Sequence, residues 1–192
     1  MSGSFQRPPG TRDWYREHAA RRRWLIDHAV GVFGPAGFSE IVTPTFEDTG
    51  VYARTSGETS DVVSKEMYTF TDRGDRSLTL RPEGTAGVMR AYIEHGMNRL
   101  PQPVKQYYVS SMFRYNRVQR GRYREHYQFG VEAIGSDDPA LDAEVIALQS
   151  RWYSAIGARS VLDLNSIGDA NCRPAYVEIL VAYLDELVAE LS

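Results

Sequence analysis

Four polar residues in the middle of the sequence have types and spacing that could do chemistry: Glu83, Arg114, Gln128 and Glu132. The last three fall on the polar face of two predicted strands, and Glu83 follows another predicted strand. Arginine binds polyphosphate through paired hydrogen bonds and can stabilise charge that shifts between oxygens. A carboxylate beside it would bind an ammonium or imidazole group. These residues therefore predict one surface that takes a nucleotide and a small cationic amine.

A hairpin predicted from Lys105 to Gly135 must position most of these side chains. Apolar and polar residues alternate along its second half, which is the pattern of a half-buried strand with one packed and one polar face. The first half alternates in the same way, and only Tyr108 and Met112 blur the pattern. Arginines crowd the loop and the strand ends: Arg114, Arg117, Arg120, Arg122 and Arg124. Because these guanidinium groups repel one another, the hairpin predicts an anion site.

Several of the polar residues also have a purely structural interpretation. Glu83 lies at a strand-to-helix junction, where the helix dipole favours an acid, and this alternative stays open. Thr85 could be the N-cap of the same helix. The arginine run at residues 21–23 is interpreted as a solvated helix face rather than a nucleic-acid contact. The Arg-Gly-Asp triplet at residues 73–75 is explained by a turn.

The sequence contains no Walker-type phosphate loop, no dinucleotide fingerprint and no Cys/His cluster with metal-ligand spacing. The histidines are scattered along the chain: His18, His28, His95 and His126. We therefore predict that no protein metal site is present and that His126 is not a metal ligand.

The overall composition indicates an intracellular globular protein. A length of 192 residues favours one domain, and a net charge of −3 argues against a general nucleic-acid coat. The single cysteine, Cys172, fits a reducing compartment. No apolar run approaches the roughly 20 residues that span a bilayer, and Met1 to Gly10 lack a hydrophobic signal region. We expect a soluble cytoplasmic protein that does not contact a membrane.

Periodicity and turn residues predict helices interspersed with hairpins, and therefore an α+β fold with a mostly antiparallel sheet and flanking helices. Proline and glycine signals bound the predicted elements. In order these are a helix from Trp14 to Phe33 capped by Asp13, a strand from Phe38 to Pro44, a loop from Phe46 to Ser60, a hairpin of residues 68–70 and 78–80, a helix ending at Gly96, the hairpin of residues 105–135, a helix from Ala140 to Ile156 capped by Asp138, a strand from Val161 to Asn165 and a helix from Pro174 to Leu191.

Several segments, taken together and in order, resemble the histidyl-tRNA synthetases, a family of class II aminoacyl-tRNA synthetases. The likeness covers nearly the whole chain. Its most specific segments are Glu66-Met67-Tyr68-Thr69-Phe70, Leu80-Arg81-Pro82-Glu83-Gly84-Thr85, Phe113-Arg114, and Gly121-Arg122-Tyr123-Arg124 followed by Gln128 and Glu132. The resemblance implies a class II synthetase-like sheet, with residues 37–44 as motif 1, which builds a homodimer interface, and residues 105–135 as motif 2.

The resemblance also implies substrates and residue roles. The substrates are ATP, histidine and the acceptor end of tRNA(His). Arg114 would contact the ATP α-phosphate and the histidine carboxylate, as the catalytic residue, and Arg122 would contact the outer phosphates. Mg²⁺ would bridge phosphate oxygens, with no protein ligand assigned to it.

The histidine site implied by the resemblance lies on the neighbouring residues. Glu83, with help from Thr85 and Gln128, would hold the α-amino group of histidine. Glu132 would accept a hydrogen bond from the imidazole.

The sequence departs from the family in two respects. Asn116-Arg117-Val118 stands where bacterial members usually have Glu-Arg-Pro, which puts a motif 2 loop contact in doubt. The family also continues with a second histidine-binding segment, a motif 3 and an anticodon-binding domain that these 192 residues lack. We therefore expect residues 1–192 to be an N-terminal portion of the catalytic domain, severely impaired alone in forming histidyl-adenylate.

Two other functions stay open. One is a synthetase-like regulatory subunit of histidine biosynthesis, which would keep the fold but would not need Arg114 and Arg122 for ATP chemistry. The other is an inert dimerising fragment.

Overall fold

The computed structural model describes residues 5–56, 66–166 and 168–188. They belong to two compact units, Met1–Ala158 and Arg159–Ser192. The first unit contains the helices α1 to α4 and the strands β1 to β6, and the second contains α5. In chain order these are α1 (Arg16–Phe33), β1 (Ser39–Glu40), β2 (Phe46–Asp48), α2 (Thr49–Ser56), β3 (Tyr68–Thr71), β4 (Ser77–Leu80), α3 (Thr85–Glu94), β5 (Val104–Phe113), β6 (Glu125–Ile134), α4 (Pro139–Ala155) and α5 (Arg173–Glu186).

The strands of the first unit form two three-stranded sheets, in the orders β1-β5-β6 and β2-β4-β3. The β5–β6 ladder is antiparallel and runs from Val104 opposite Ile134 to Phe113 opposite Glu125. Strand β1 pairs with β5 in parallel, whereas both pairings of the second sheet are antiparallel. The predicted α+β class with a mostly antiparallel sheet is confirmed.

Strand β5 is packed on both faces, and the even-numbered face is the more deeply buried, so the expectation of one packed and one polar face is wrong for this strand. Tyr107 packs in a cluster with Phe33, Phe38 and Leu148. On the opposite face Tyr108 and Met112 pack with Val88 of α3 in a second cluster. Tyr108 and Met112 broke the alternation because α3 covers the face that the pattern assigned to solvent.

Two of the elements predicted before β3 differ from the structure. The strand predicted over Phe38 to Pro44 shrinks to β1, because the carbonyls of Thr43 and Pro44 accept hydrogen bonds from the Arg81 side chain instead of a neighbouring strand. The segment from Phe46 to Ser60, predicted as a loop with room for one short turn of helix, contains the strand β2 and the helix α2, since Phe46 pairs with Leu80 of β4. Residues 57–60 of that predicted loop lie outside the described residues.

Of the two aspartates predicted to cap helices α1 and α4, only the second does so. Asp13 does not cap α1, whose N-cap is Tyr15 without a side-chain hydrogen bond. Asp138 caps α4 as predicted, because its carboxylate accepts a hydrogen bond of 2.9 Å from the backbone N–H of Ala140. Pro139 fills the first helical position, where the missing N–H costs nothing.

The second unit contains α5 but no strand among its described residues, so the predicted strand from Val161 to Asn165 is wrong. The helix predicted to run to Leu191 is observed as Arg173–Glu186, and residues 189–191 lie outside the described part of the chain. No helix within the described ranges has both the length and the apolar character needed to cross a membrane.

Candidate active site

The turn between β4 and α3 places Glu83 at the start of a helix. Its carboxylate accepts hydrogen bonds of 2.8 Å and 2.9 Å from the backbone N–H groups of Thr85 and Ala86. Glu83 therefore supplies the side-chain capping interaction, and Thr85 is the first helical residue rather than the N-cap. Each carboxylate oxygen retains a second lone pair, so Glu83 can still accept a hydrogen bond from a ligand.

Glu132 of β6 faces this turn. The Thr85 hydroxyl donates a hydrogen bond of 2.7 Å to Glu132 Oε1, and the Tyr108 hydroxyl lies within hydrogen-bonding reach of the same carboxylate. Burial is the main cause that raises the pKa of Glu132, and the negative charge of Glu83 adds to it, while the bonds from Thr85 and Tyr108 act in the opposite direction. Glu83, Thr85, Tyr108 and Glu132 together form what we call the carboxylate pocket.

Arg114 connects the hairpin to the turn that carries Glu83. Its Nε donates a hydrogen bond of 2.8 Å to the carbonyl of Pro82, the residue before Glu83. Its backbone N–H bonds to the carbonyl of Arg124 across the base of the hairpin. The guanidinium is therefore held beside the carboxylate pocket although it belongs to a different element.

Arg114 also lines a cavity of about 340 Å³, which we call the arginine cavity. Its other lining residues are Glu66, Asn116, Gly121, Arg122, Tyr123 and His126. Burial lowers the pKa of His126, and the positive charge of Arg114 lowers it further, so this imidazole is neutral at pH 7. The cavity thus contains the guanidinium groups of Arg114 and Arg122 beside the single carboxyl group of Glu66, and this excess of guanidinium groups suits an anionic ligand such as polyphosphate.

The other hairpin arginines are placed differently. Arg124 donates to the carbonyl of Asn116 and lies 4.0 Å from the centre of the Tyr115 ring, so it holds the hairpin together. Arg117, Arg120 and Arg122 are all exposed, but only Arg122 of these three lines the cavity. Of the arginines that crowd this segment, Arg114 and Arg122 are the ones that the structure brings to the cavity.

Gln128 lies on β6 opposite Ser110, on the same parity as Glu132. The Glu83 carboxylate bonds to the backbone at the start of α3 and not to Gln128. The amine-holding role of Gln128 therefore stays a prediction. Within the described residues no group of three or more His, Cys, Asp or Glu side chains could hold a metal ion.

The sequence pattern assigned no role in the site to Tyr108, which belongs to the carboxylate pocket, or to Arg81, which supports the neighbouring turn. Tyr108 appeared only as a break in the alternation of β5, and that break is the signal that could have identified it. Arg81 is buried at 7% exposure, and its guanidinium bonds to the carbonyls of Thr43, Pro44 and Ser111. Arg81 lies outside both the carboxylate pocket and the arginine cavity, and its sequence signal is its place in the segment Leu80-Arg81-Pro82-Glu83-Gly84-Thr85.

Comparison of the sequence with known proteins gives a consistent family match. The family described as histidyl-tRNA synthetase matches residues 10–170. The histidine–tRNA ligase of Dehalococcoides mccartyi is 52% identical over 180 residues, which make up 93% of this chain and 43% of that protein.

Solved structures give the same result. The apo histidyl-tRNA synthetase of S. aureus superposes with a TM-score of 0.76 at 41% identity, covering 98% of this chain and 44% of that one. A protein described as an ATP phosphoribosyltransferase regulatory subunit/histidyl-tRNA synthetase from Bacillus halodurans reaches a TM-score of 0.68 at 29% identity, covering 82% and 39%. The chain thus spans less than half the length of the relatives it matches. Because the family match extends over most of these residues and the fold agrees with it, the chain belongs to the histidyl-tRNA synthetase family.

Proposed function

We propose that residues 1–192 are the N-terminal portion of the catalytic domain of a histidine–tRNA ligase. The longer protein would activate histidine with ATP to histidyl-adenylate and transfer it to the acceptor end of tRNA(His). Residues 37–44 would be motif 1 and residues 105–135 motif 2.

The observation that carries this proposal is the hydrogen bond from Arg114 to the carbonyl of Pro82. It holds this guanidinium next to the turn that carries Glu83, and the same residue lines the arginine cavity. An amine held by the carboxylates and a phosphate held in the cavity would therefore lie on either side of the same arginine. Such alignment of two reactants is itself a large part of catalysis.

In the proposed reaction an oxygen of the histidine carboxylate forms a bond to the α-phosphorus of ATP. The bond from that phosphorus to the bridging oxygen breaks, and pyrophosphate leaves. Arg114 would stabilise the charge that grows on the α-phosphoryl oxygens, and Arg122 would hold the outer phosphates. Mg²⁺ would enter with ATP as part of the substrate and bridge phosphate oxygens.

The carboxylate pocket suits the amino acid. Glu83, with Thr85 and Gln128, would hold the α-ammonium group, and Glu132 would accept the imidazole N–H. Burial already raises the pKa of Glu132, so an N–H donated by a ligand would stabilise the buried negative charge of this carboxylate.

Calorimetric titration of the chain tests the histidine assignment. Glu132→Ala should weaken histidine binding by about tenfold or more, because the imidazole loses a charged acceptor, and should leave ATP binding unchanged. Glu125→Ala is the matched control, since Glu125 lies on the same strand with the opposite parity. Equal losses of histidine and ATP affinity in Glu132→Ala would refute this role.

Titration with ATP tests the phosphate assignment. Arg122→Ala should weaken ATP binding more than histidine binding, because Arg122 lines the arginine cavity. Arg120→Ala, which removes an exposed arginine of the same loop, is the control. If both substitutions reduce ATP binding equally, the general positive charge of the loop matters and the specific contact does not.

We also propose that the chain forms a homodimer through residues 37–44. In support, Val42 is 79% exposed beside a polar cavity of about 430 Å³ that Thr43, Pro44 and Arg90 help to line. The main support is the resemblance of residues 37–44 to motif 1, and burial of Val42 against a partner would remove apolar surface from water. Light scattering at micromolar concentration should give about twice 21.7 kDa, and a monomer mass across that range would refute the proposal.

The likeness to the Bacillus halodurans protein favours a second candidate, a regulatory subunit. Histidine-dependent exchange of pyrophosphate into ATP by the longer protein distinguishes the two. A ligase catalyses this exchange, whereas a purely regulatory subunit does not.

A further inference from the structure

We propose that Tyr108 is the positioning residue that fixes the Glu132 carboxylate for recognition of the imidazole, an inference that rests on the proposed function. Tyr108 is not among the residues to which the family resemblance assigned a role. It lies on β5, and only 3% of the residue is exposed. Its position follows from packing, and its effect on Glu132 follows from its hydroxyl.

The Tyr108 ring is enclosed by two glycines from different elements. Gly84 belongs to the turn before α3, and Gly130 belongs to β6. A Cβ added at either position would lie closer than 3.0 Å to the ring and hydroxyl of Tyr108. The ring therefore occupies the space that side chains would fill at these two positions, and Val88 and Met112 pack in the same cluster. Such close packing leaves the ring one position.

The hydroxyl at the end of this fixed ring reaches Glu132 and Thr85. Burial, followed by the negative charges of Glu132 and Glu83, raises the pKa of Tyr108 to about 12. The hydroxyl is therefore protonated at neutral pH and can donate to the carboxylate. A buried phenol without a partner would cost free energy, so the proposed bond would also satisfy Tyr108 itself.

Glu132 thus faces two donors on separate elements: the Thr85 hydroxyl from α3, which bonds to it at 2.7 Å, and the Tyr108 hydroxyl from β5, whose bond is part of the proposal. The other charged group that faces it is Glu83, from the turn before α3. Both donors favour the ionised carboxylate, whereas burial and Glu83 oppose it. An ionised carboxylate offers only acceptors, which suits an imidazole N–H, whereas a protonated one would present its own donor.

The first test removes only the hydroxyl, with Tyr108→Phe. In the ligand-free chain, a pH titration of the Glu132 carboxyl carbon by NMR should show a higher Glu132 pKa in this variant than in the wild type. Tyr107→Phe is the matched control, because Tyr107 is the adjacent buried tyrosine and packs on the opposite face with Phe33 and Phe38. An unchanged Glu132 pKa in Tyr108→Phe would overturn the inference.

A measurement on the wild-type chain covers the case in which Tyr108→Phe does not fold. The Tyr108 hydroxyl proton should exchange slowly, and its chemical shift should follow the titration of Glu132. A hydroxyl proton that exchanges freely, or does not respond to Glu132, would contradict the proposed bond.

The second test is histidine binding by calorimetry. At pH 7 Tyr108→Phe should bind histidine about tenfold more weakly and ATP as the wild type does, whereas Tyr107→Phe should match the wild type for both. If the wild type binds histidine and Tyr108→Phe binds it equally well, the positioning role is wrong. Failure of the longer protein to bind histidine would refute the proposed function, whereas the NMR titration of this chain decides separately whether Tyr108 positions Glu132.

Discussion

Replacing the buried Arg81 with methionine should destabilise the first unit strongly. The Arg81 Nε donates a hydrogen bond of 2.7 Å to the carbonyl of Ser111, and Nη1 donates to the carbonyls of Thr43 at 2.9 Å and Pro44 at 3.3 Å. One guanidinium therefore links the segment that follows β1 with strand β5, next to the turn that carries Glu83. Methionine keeps the length and the apolar stem of the side chain but removes every one of these donors.

The magnitude follows from these contacts. Hydrogen bonds from a charged donor contribute about 1.5–3 kcal/mol each, and a buried carbonyl left without a partner costs about 1–3 kcal/mol. Burial lowers the pKa of Arg81, which shows that the site disfavours the charge, so part of the gain is offset by desolvation. The Thr43 bond is buried and the other two are partly buried, so water can replace some of them. A net loss of about 3 kcal/mol is expected.

Urea unfolding followed by tryptophan fluorescence measures this loss as a change in the midpoint at constant slope. Arg81→Lys should lose about half as much free energy of unfolding. Lysine keeps the positive charge, but its ammonium group cannot bond to all three carbonyls as the planar guanidinium does. Arg73→Met, in the exposed turn between β3 and β4, is the control and should stay within about 0.5 kcal/mol of the wild type. If Arg81→Met also stays within about 0.5 kcal/mol, water replaces the guanidinium and the argument fails.

Three further predictions follow from single contacts. Gly130→Ala should destabilise the chain by about 1–3 kcal/mol in urea unfolding, because its Cβ would overlap the Tyr108 ring, and a neutral effect would show that the ring can move. Asp138→Ala should cost about 1 kcal/mol through loss of the bond to Ala140, whereas Asp138→Asn, which can still cap, should cost less. Burial raises the pKa of Glu132 above the ordinary 4.5, so the native state binds this proton more tightly than the unfolded chain. The free energy of unfolding should therefore fall as pH rises from 4.5 to the higher native pKa, and Glu132→Gln should flatten that part of the profile; an unchanged profile would contradict the shift.

The elements whose evidence is local were predictable from the sequence. Alternation predicted the strands that became β5 and β6, and the Asp138-Pro139 pair predicted the start of α4, because burial pattern and capping depend on neighbours a few residues away. The motif residues around Glu83 and Arg114 also identified the family before any fold was known. Each of these conclusions needed only a short window of sequence.

Contacts between distant segments were decided by the tertiary structure. Thr85 and Glu132 are 47 residues apart, and their hydrogen bond exists because α3 packs over the β5–β6 ladder. The same packing buries Tyr108, which periodicity assigned to a polar face. Arg81 is likewise paired with carbonyls at least 30 residues away along the chain. The alternation of apolar and polar residues identifies the buried face of a strand only when the other face is exposed to solvent. When layers pack on both faces of a strand, the second buried face and the polar groups that meet there are decided by the tertiary structure.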